Sequence, residues 1–194
     1  TKEITFDAVV ASSNKCLEGA PGLGFCIASE SAMVKTEGNS PSLVLDLYDQ
    51  WRAMQKTKQW RFTPPTHVIL AFAQAIKEFE AEGNVSGRGG RYRDNHAVLI
   101  SGMRDMGFKT LLPDALQAPI IVTFHMPTNP EFDFDQFYDG LRDQGYVIYP
   151  GKLTVANSFR IGCIGRLGKE QMEGALGAIK GMVETFGISQ ISYD

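Results

Sequence analysis

The chain has 194 residues, 43% of them hydrophobic, and its 19 basic and 22 acidic side chains give a formal net charge of -3 at pH 7. This balance provides no basic excess that would attract nucleic acid or an anionic membrane surface, so we expect neither partner. No apolar run approaches the roughly 18 residues that a membrane-spanning helix requires, and residues 1–7 lack the apolar stretch of a signal peptide. We therefore expect a cytoplasmic protein.

The three cysteines, Cys16, Cys26 and Cys163, are scattered along the chain. They form no closely spaced pair of the kind typical of a zinc site, and three are too few for a secreted disulfide scaffold. The histidines also lie in different predicted elements, at no metal-ligand spacing. We therefore expect reduced thiols and no bound metal ion.

The first part of the chain predicts two strands and a helix. Residues 6–11 form a continuous apolar run typical of a buried parallel strand, which needs neighbouring strands on both sides. A lysine-containing loop and a glycine-rich turn follow, and then a second strand over 25–28. Apolar residues at helical spacing predict a helix over 43–54, and Pro64 with Pro65 makes the next turn stiff and extended. Because the chain has no initiator methionine and enters its first strand almost directly, we expect it to begin inside a fold.

The second part predicts a small α/β domain. Two long helices are predicted over 67–81, with Thr66 as N-cap, and over 85–106. Short strands and helices then alternate. They are predicted as strands near 120–124, 146–149 and 159–164 and helices near 133–144 and 169–186. The boundary is expected in the break between the two long helices, so that residues 1–84 and 85–194 belong to different domains.

Lys15 is the first candidate for chemistry. It follows the carboxyl end of the strand over 6–11, where the ligand sites of α/β proteins form. A partly desolvated amine at that place has a lowered pKa and can attack an aldehyde. The alternative is an ordinary solvated loop lysine.

Ser12 and Lys15 together also spell S-x-x-K, a signature of serine hydrolases of the β-lactamase type. That chemistry requires Ser12 to open a helix, yet glycines and a proline soon interrupt any helix there. The partner motifs S-D-N and K-T-G are absent from the sequence. A hydrolase is therefore retained only as a competing hypothesis.

Arg160 and Thr63 are candidates for binding anions. Arg160 alternates with apolar neighbours on a predicted strand, so its guanidinium should leave the apolar face and could bind a carboxylate or phosphonate. A surface ion pair is the alternative. Thr63 presents a hydroxyl on the stiff diproline turn, where it could donate to a phosphate.

Two further patterns are assigned structural roles. Residues 87–91, Gly-Arg-Gly-Gly-Arg, have neither the preceding strand nor the G-K-S/T ending of a phosphate loop, so we place them on the exposed side of a helix start. Tyr48, Trp51 and Trp60 could stack on a ring, but aromatic residues at helical spacing are usually buried, and we expect them in the core.

Residues 12–22, which include Lys15, resemble the lysine loop of the 2-aminoethylphosphonate:pyruvate aminotransferases, class V members of the fold type I enzymes that use pyridoxal 5'-phosphate (PLP). Similar stretches recur in order along nearly the whole chain. They are residues 46–48, 60–67, 145–152 and 159–162. The resemblance implies an α/β fold in which residues 1–84 are the tail of the large PLP-binding domain and residues 85–194 are the small carboxy-terminal domain.

The resemblance also implies a role for each candidate. Lys15 is similar to the lysine that binds PLP covalently and moves a proton between cofactor and substrate. Thr63 is similar to the threonine that reaches the cofactor phosphate across the subunit boundary of a homodimer, and Arg160 to the arginine that binds the anionic end of the substrate. The implied reaction is reversible transamination between 2-aminoethylphosphonate and pyruvate, giving phosphonoacetaldehyde and alanine. A class V relative acting on serine, alanine or glyoxylate is the nearest alternative.

The sequence departs from the family pattern in two ways. Cys163 stands where the family pattern has asparagine, which should change a hydrogen bond next to Arg160. The chain is also similar only to the carboxy-terminal half of the family. The other half is implied to supply the main phosphate loop, the group stacked on the pyridine ring and the aspartate facing the pyridine nitrogen. We therefore expect little or no activity from this chain alone. The alternative is a non-catalytic fragment that dimerises through the surface that the other half would cover. If the strand over 6–11 stays unpaired, we also expect association through its edge.

Overall fold

The computed structural model of the chain describes residues 4–151 and 156–193. The chain divides into two compact units, Thr1–Glu78 and Phe79–Asp194. The division lies a few residues before the boundary expected after residue 84. Lys152, the last residue of one stretch that carries the family resemblance, lies outside the described residues.

The first unit combines a two-stranded sheet with three helices. The strands are β1 (Ala8–Ser12) and β2 (Gly24–Ala28), and the helices are α1 (Glu30–Met33), α2 (Leu47–Thr57) and α3 (Thr66–Ala81), the last of which continues into the second unit. β1 and β2 are antiparallel, with Val10 opposite Cys26. The expectation of a buried strand flanked on both sides is therefore wrong for the residues described, because the glycine-rich loop turns β2 back along β1 and leaves Val10 75% exposed.

Local capping explains where α2 begins and ends. The carboxylate of Asp46 accepts a hydrogen bond from the Asp49 amide at 3.0 Å, so α2 begins after Asp46 instead of at residue 43. Lys58 ends it in the left-handed conformation, with φ of 60°. The predicted aromatic core is wrong, because Trp60 is 48% exposed and Tyr48 and Trp51 are only half-buried. Within the described part of this unit only Ser13 and Ala75 are buried.

The second unit is an antiparallel three-stranded sheet packed with helices. In chain order it contains α4 (Asn84–Asp105), β3 (Ile121–His125), α5 (Phe134–Asp143), β4 (Tyr149–Pro150), β5 (Ser158–Gly162) and α6 (Lys169–Thr185). The strand order is β3-β5-β4. Of the strand predicted over 146–149, only Tyr149 pairs with β5, together with Pro150 after it. The three predicted helices agree with α4, α5 and α6 to within about two residues at each end.

The core of the second unit is rich in phenylalanine. Phe108, Phe124, Phe137 and Phe159 are at most 2% exposed, and the rings of Phe124 and Phe159 stack with centroids 5.6 Å apart. Because side chains alternate along a strand, the burial of Phe159 and its neighbour Ile161 directs Arg160 to the opposite face of β5. In the described part of the chain, no helix is both long and apolar enough to cross a membrane.

Candidate active site

Ser13 closes the loop that carries Lys15. β1 ends at Ser12, and the buried Ser13 donates its amide to the carbonyl of Leu23 at 3.0 Å and its hydroxyl to the carbonyl of Ala20 at 2.6 Å. The Gly19 amide in turn donates to the Ser13 carbonyl at 2.8 Å. Ser13 thus links the start of the loop to its later residues through hydrogen bonds. These bonds restrain the loop far more than its glycines and proline would suggest.

Lys15 lies in a turn of this loop and is exposed. Its carbonyl accepts a hydrogen bond from the Glu18 amide at 2.8 Å, and its side chain has no ion-pair partner among the described residues. The desolvation expected from the sequence is absent in this chain. Behind the turn, a Cβ on Gly19 would lie 2.9 Å from the Ser13 carbonyl oxygen and 3.1 Å from the Phe72 ring. The loop is therefore closely packed at Gly19, whereas Lys15 is exposed.

The hydrolase hypothesis fails on the conformation of Ser12. Ser12 is the last residue of β1 and pairs with Gly24, so it does not open a helix. Ser12 and Lys15 consequently do not share a helical face one turn apart, which the S-x-x-K chemistry requires.

Thr63 is exposed in the segment between α2 and α3. The two prolines that follow lead directly into α3, since the Thr66 amide donates to the Pro64 carbonyl at 2.9 Å and the Ile69 amide to the Pro65 carbonyl at 3.0 Å. Thr66 is the first helical residue of α3 rather than the predicted N-cap. The hydroxyl of Thr63 thus precedes a rigid helix entry.

Arg160 lies in the middle strand of the sheet, opposite Thr123 of β3 and Tyr149 of β4. Its Nε is buried and has no hydrogen-bond partner. The surface ion pair considered from the sequence is not found, because no acidic side chain of the described residues pairs with this guanidinium. Buried polar atoms are nearly always hydrogen-bonded, so the unpaired Nε of this half-buried arginine suits an incoming oxyanion.

Asn95 supports the backbone after Arg160, a role that the sequence did not reveal. This buried side chain of α4 donates to the carbonyl of Cys163 at 3.1 Å and to that of Leu167 at 3.0 Å. The Cys163 thiol packs in the core, where burial raises its pKa to about 12. An amide from α4, distant in sequence, therefore serves the backbone just after Arg160.

The Gly-Arg-Gly-Gly-Arg stretch lies at the start of α4, as expected, but its placement on the exposed side is wrong for Arg88. Arg88 is 3% exposed, with its Nε 2.7 Å from Oε2 of Glu82. Its guanidinium also lies over the ring of Phe79, 5.2 Å from the centroid. Glu82 compensates the charge of the buried arginine, which explains how the motif enters the interior.

The donor groups match an aldehyde cofactor with a phosphate and an anionic substrate. Lys15 offers an unpaired amine, Thr63 an exposed hydroxyl and Arg160 an unpaired guanidinium nitrogen. Lys15 and Thr63 belong to the first unit and Arg160 to the second. The residues present therefore fit PLP on chemical grounds.

No family model matches the chain. It is 52% identical over 187 residues to 2-aminoethylphosphonate--pyruvate transaminase 2 of Burkholderia lata, covering 96% of this chain and 50% of that protein. It is 50% identical over 187 residues to 2-aminoethylphosphonate--pyruvate transaminase 1 of a Polaromonas species, with the same two coverages. The chain thus spans about half the length of the curated relatives it matches.

Solved structures show the same fold. Ureidoglycine-glyoxylate aminotransferase from Bacillus subtilis matches with a TM-score of 0.80 and 22% identity, covering 96% of this chain and 49% of that one. Pyridoxamine-pyruvate aminotransferase from Mesorhizobium loti matches with a TM-score of 0.78 and 25% identity, covering 93% and 47%. The predicted fold type I aminotransferase fold is therefore confirmed, and by sequence the chain is a homologue of the 2-aminoethylphosphonate--pyruvate transaminases, matching about half of their length.

Proposed function

We propose that this chain supplies the lysine, threonine and arginine for PLP-dependent transamination between 2-aminoethylphosphonate and pyruvate, giving phosphonoacetaldehyde and alanine. The observation that carries the proposal is Lys15, whose unpaired amine is exposed on a loop restrained by Ser13. The names of the relatives support the choice of donor and acceptor. The proposal extends to a cytoplasmic homodimer, with residues 1–84 in the large domain and 85–194 in the small domain.

Each residue has a role suited to its chemistry. When bound, PLP supplies an aldehyde and an electron-withdrawing ring. Lys15 Nζ would bind the cofactor at its aldehyde, and the same amine would move a proton at the substrate carbon that bears the amino group. Thr63 Oγ1 donates a hydrogen bond to the phosphate. Arg160 donates to the phosphonate of one substrate or the carboxylate of the other, which orients the reacting carbon.

Borohydride reduction tests the lysine. We expect a PLP-treated sample reduced with borohydride to carry the label on Lys15 after peptide mapping, and Lys15→Arg to lose it. Lys35→Arg, another exposed lysine of the first unit, is the matched control and should keep the label on Lys15. Label concentrated on any other residue would reject the assignment.

A substrate panel tests the reaction in the complete enzyme. We expect the highest kcat/KM for 2-aminoethylphosphonate with pyruvate, compared with serine or alanine as donor and glyoxylate as acceptor. A preference for one of those pairs would assign the site to the related class V activity. Absence of turnover from the chain alone, together with turnover from the complete enzyme, would locate the missing groups outside these residues.

A further inference from the structure

Arg61 connects the segment between α2 and α3 to two other parts of the first unit. Its Nη2 lies 3.0 Å from Oδ2 of Asp49 on α2, and its Nη1 donates to the Leu43 carbonyl at 3.0 Å, in the segment before that helix. Its backbone amide donates to Oε1 of Gln50 at 3.3 Å. One residue therefore restrains its segment through both its side chain and its backbone.

The contacts of Arg61 depend on the shape of its guanidinium group. Its side chain is 21% exposed, and its guanidinium carbon lies 5.1 Å from the centroid of the Phe62 ring. An exposed ion pair stabilises a protein little. Here the guanidinium carbon lies over a ring while two different nitrogens donate to two different acceptors, an arrangement that a lysine ammonium cannot reproduce.

Thr63 lies two residues after Arg61 and directly before Pro64. Proline limits the preceding residue to extended conformations and fixes its own φ, so the backbone of Thr63 is restrained on its carboxyl side. Arg61 supplies the restraint on the amino side. The hydroxyl of Thr63 is thus presented from a backbone held at both ends.

We propose that Arg61 is a positioning residue that holds the hydroxyl of Thr63 in place for the phosphate monoester of the cofactor. Both Nη atoms of Arg61 already have partners, so it acts through Thr63 and not on the phosphate itself. A restrained hydroxyl loses less conformational freedom when it binds, which strengthens binding. The inference rests on the proposed function, which assigns the phosphate to Thr63.

Comparing PLP with pyridoxal, which lacks the phosphate, isolates this role. Arg61→Lys and Thr63→Val should each weaken PLP binding by about tenfold and change pyridoxal binding by less than about twofold. The double variant should lose little more than either single variant, because both changes remove one phosphate contact. Arg52→Ala is the matched control, since Arg52 is exposed on α2 and contacts Trp51 instead of the Thr63 segment. Dissociation constants come from the absorbance of the bound cofactor.

Hydrogen exchange gives a second measurement that needs no cofactor. Amides of residues 60–63 should exchange faster in Arg61→Lys and in Asp49→Asn, while those of α3 keep their wild-type rates. Unchanged exchange in both folded variants would overturn the inference, and so would equal loss of PLP and pyridoxal binding in Arg61→Lys. If Thr63→Val leaves the preference for PLP over pyridoxal intact, the phosphate role in the proposed function fails as well. If only the Arg61 variants behave like wild type, that role stands and the inference about Arg61 alone fails.

Discussion

Arg91 and Glu82 form an ion pair in which Arg91 Nε lies 2.6 Å from Glu82 Oε1. Arg91 Nη2 also donates to Oε2 at 3.2 Å, an oxygen that Arg88 shares. The Nη1 of Arg91 donates to the carbonyls of Gly165 and, at 3.2 Å, Leu167, in the segment that follows β5. A single carboxylate thus fixes two arginines of α4, and through one of them it fixes the chain after β5.

This carboxylate predicts acid-dependent stability. The hydrogen bond from Arg91 lowers the pKa of Glu82 from 4.5 to about 2, with Arg88 adding to the effect against the opposing effect of burial. The ionised form is favoured by folding, so this stabilisation is complete above the unfolded pKa and is lost as the pH falls from 4.5 toward 2. We expect Glu82→Gln to lower the free energy of unfolding by on the order of 2 kcal/mol at pH 7. Urea unfolding at a series of pH values should show the gap from wild type narrowing at acid pH.

Glu173→Gln is the control for that experiment. Glu173 is 57% exposed and pairs with Lys169 at 3.5 Å on the surface of α6. Its loss should change the free energy of unfolding by less than about 0.5 kcal/mol. A gap between wild type and Glu82→Gln that stays constant from pH 7 to about pH 3 would contradict the assigned pKa.

Two helical glycines should respond in opposite ways to alanine. A Cβ on Gly87 in α4 would lie 1.7 Å from the Glu82 carbonyl oxygen, whereas one on Gly177 in α6 would meet no heavy atom within 4 Å. Gly87→Ala should lower the free energy of unfolding by about 3 kcal/mol or prevent folding, because the backbone has to move. Gly177→Ala should stabilise by about 0.5–1 kcal/mol because alanine is the better helix former. Thermal unfolding of the two variants measures the contrast, and equal effects would refute it.

Asn95 should be required for the stability of the segment after β5. Asn95→Leu keeps a similar volume but leaves the carbonyls of Cys163 and Leu167 without their buried donor. We expect the free energy of unfolding, measured with urea, to fall by about 2–3 kcal/mol. His96→Ala, which removes a half-buried side chain bonded to Gln117 at 3.3 Å, should cost less than about 1 kcal/mol. A smaller effect for Asn95→Leu than for His96→Ala would argue against this role.

The three thiols should differ in reactivity. Burial raises the pKa of Cys163 to about 12, whereas Cys16 and Cys26 are half-buried. Because the thiolate is the reactive form, iodoacetamide at pH 8 should modify Cys16 and Cys26 in the native protein and Cys163 only after unfolding in urea. Mass spectrometry of the alkylated peptides provides the measurement. Native labelling of Cys163 at a rate similar to the other two would show that the core around it opens readily.

Helices and strands that are defined by local interactions can be predicted from the sequence more accurately than those defined by contacts between distant residues. α3 and α6 were predicted to within about two residues, since their periodicity and flanking residues are local. α2 begins later than its apolar pattern indicates because the side chain of Asp46 caps it. The strand over 6–11 pairs antiparallel with β2, whereas its apolar run predicts a parallel strand with neighbours on both sides. An apolar run does not specify whether the partner strand is parallel or antiparallel.

Some residues of the candidate site can likewise be identified from the sequence and others cannot. Its reactive groups, Lys15, Thr63 and Arg160, could be chosen from their chemistry, their place after a strand or next to prolines, and the family resemblance. The residues that hold their surroundings, Arg61 and Asn95, could not, because nothing in their immediate neighbourhood marks them.

The sequence by itself therefore determined the approximate helices, the family resemblance and the residue types able to bind an aldehyde, a phosphate and an oxyanion. Only the tertiary structure decided which backbone groups Ser13, Arg61 and Asn95 serve, and that Arg88 is buried against Glu82. The physical reason is distance along the chain. Helix periodicity and capping act over a few residues, whereas the hydrogen bond from Asn95 to Cys163 joins residues 68 positions apart. Such a hydrogen bond exists only once folding has brought its donor and acceptor together.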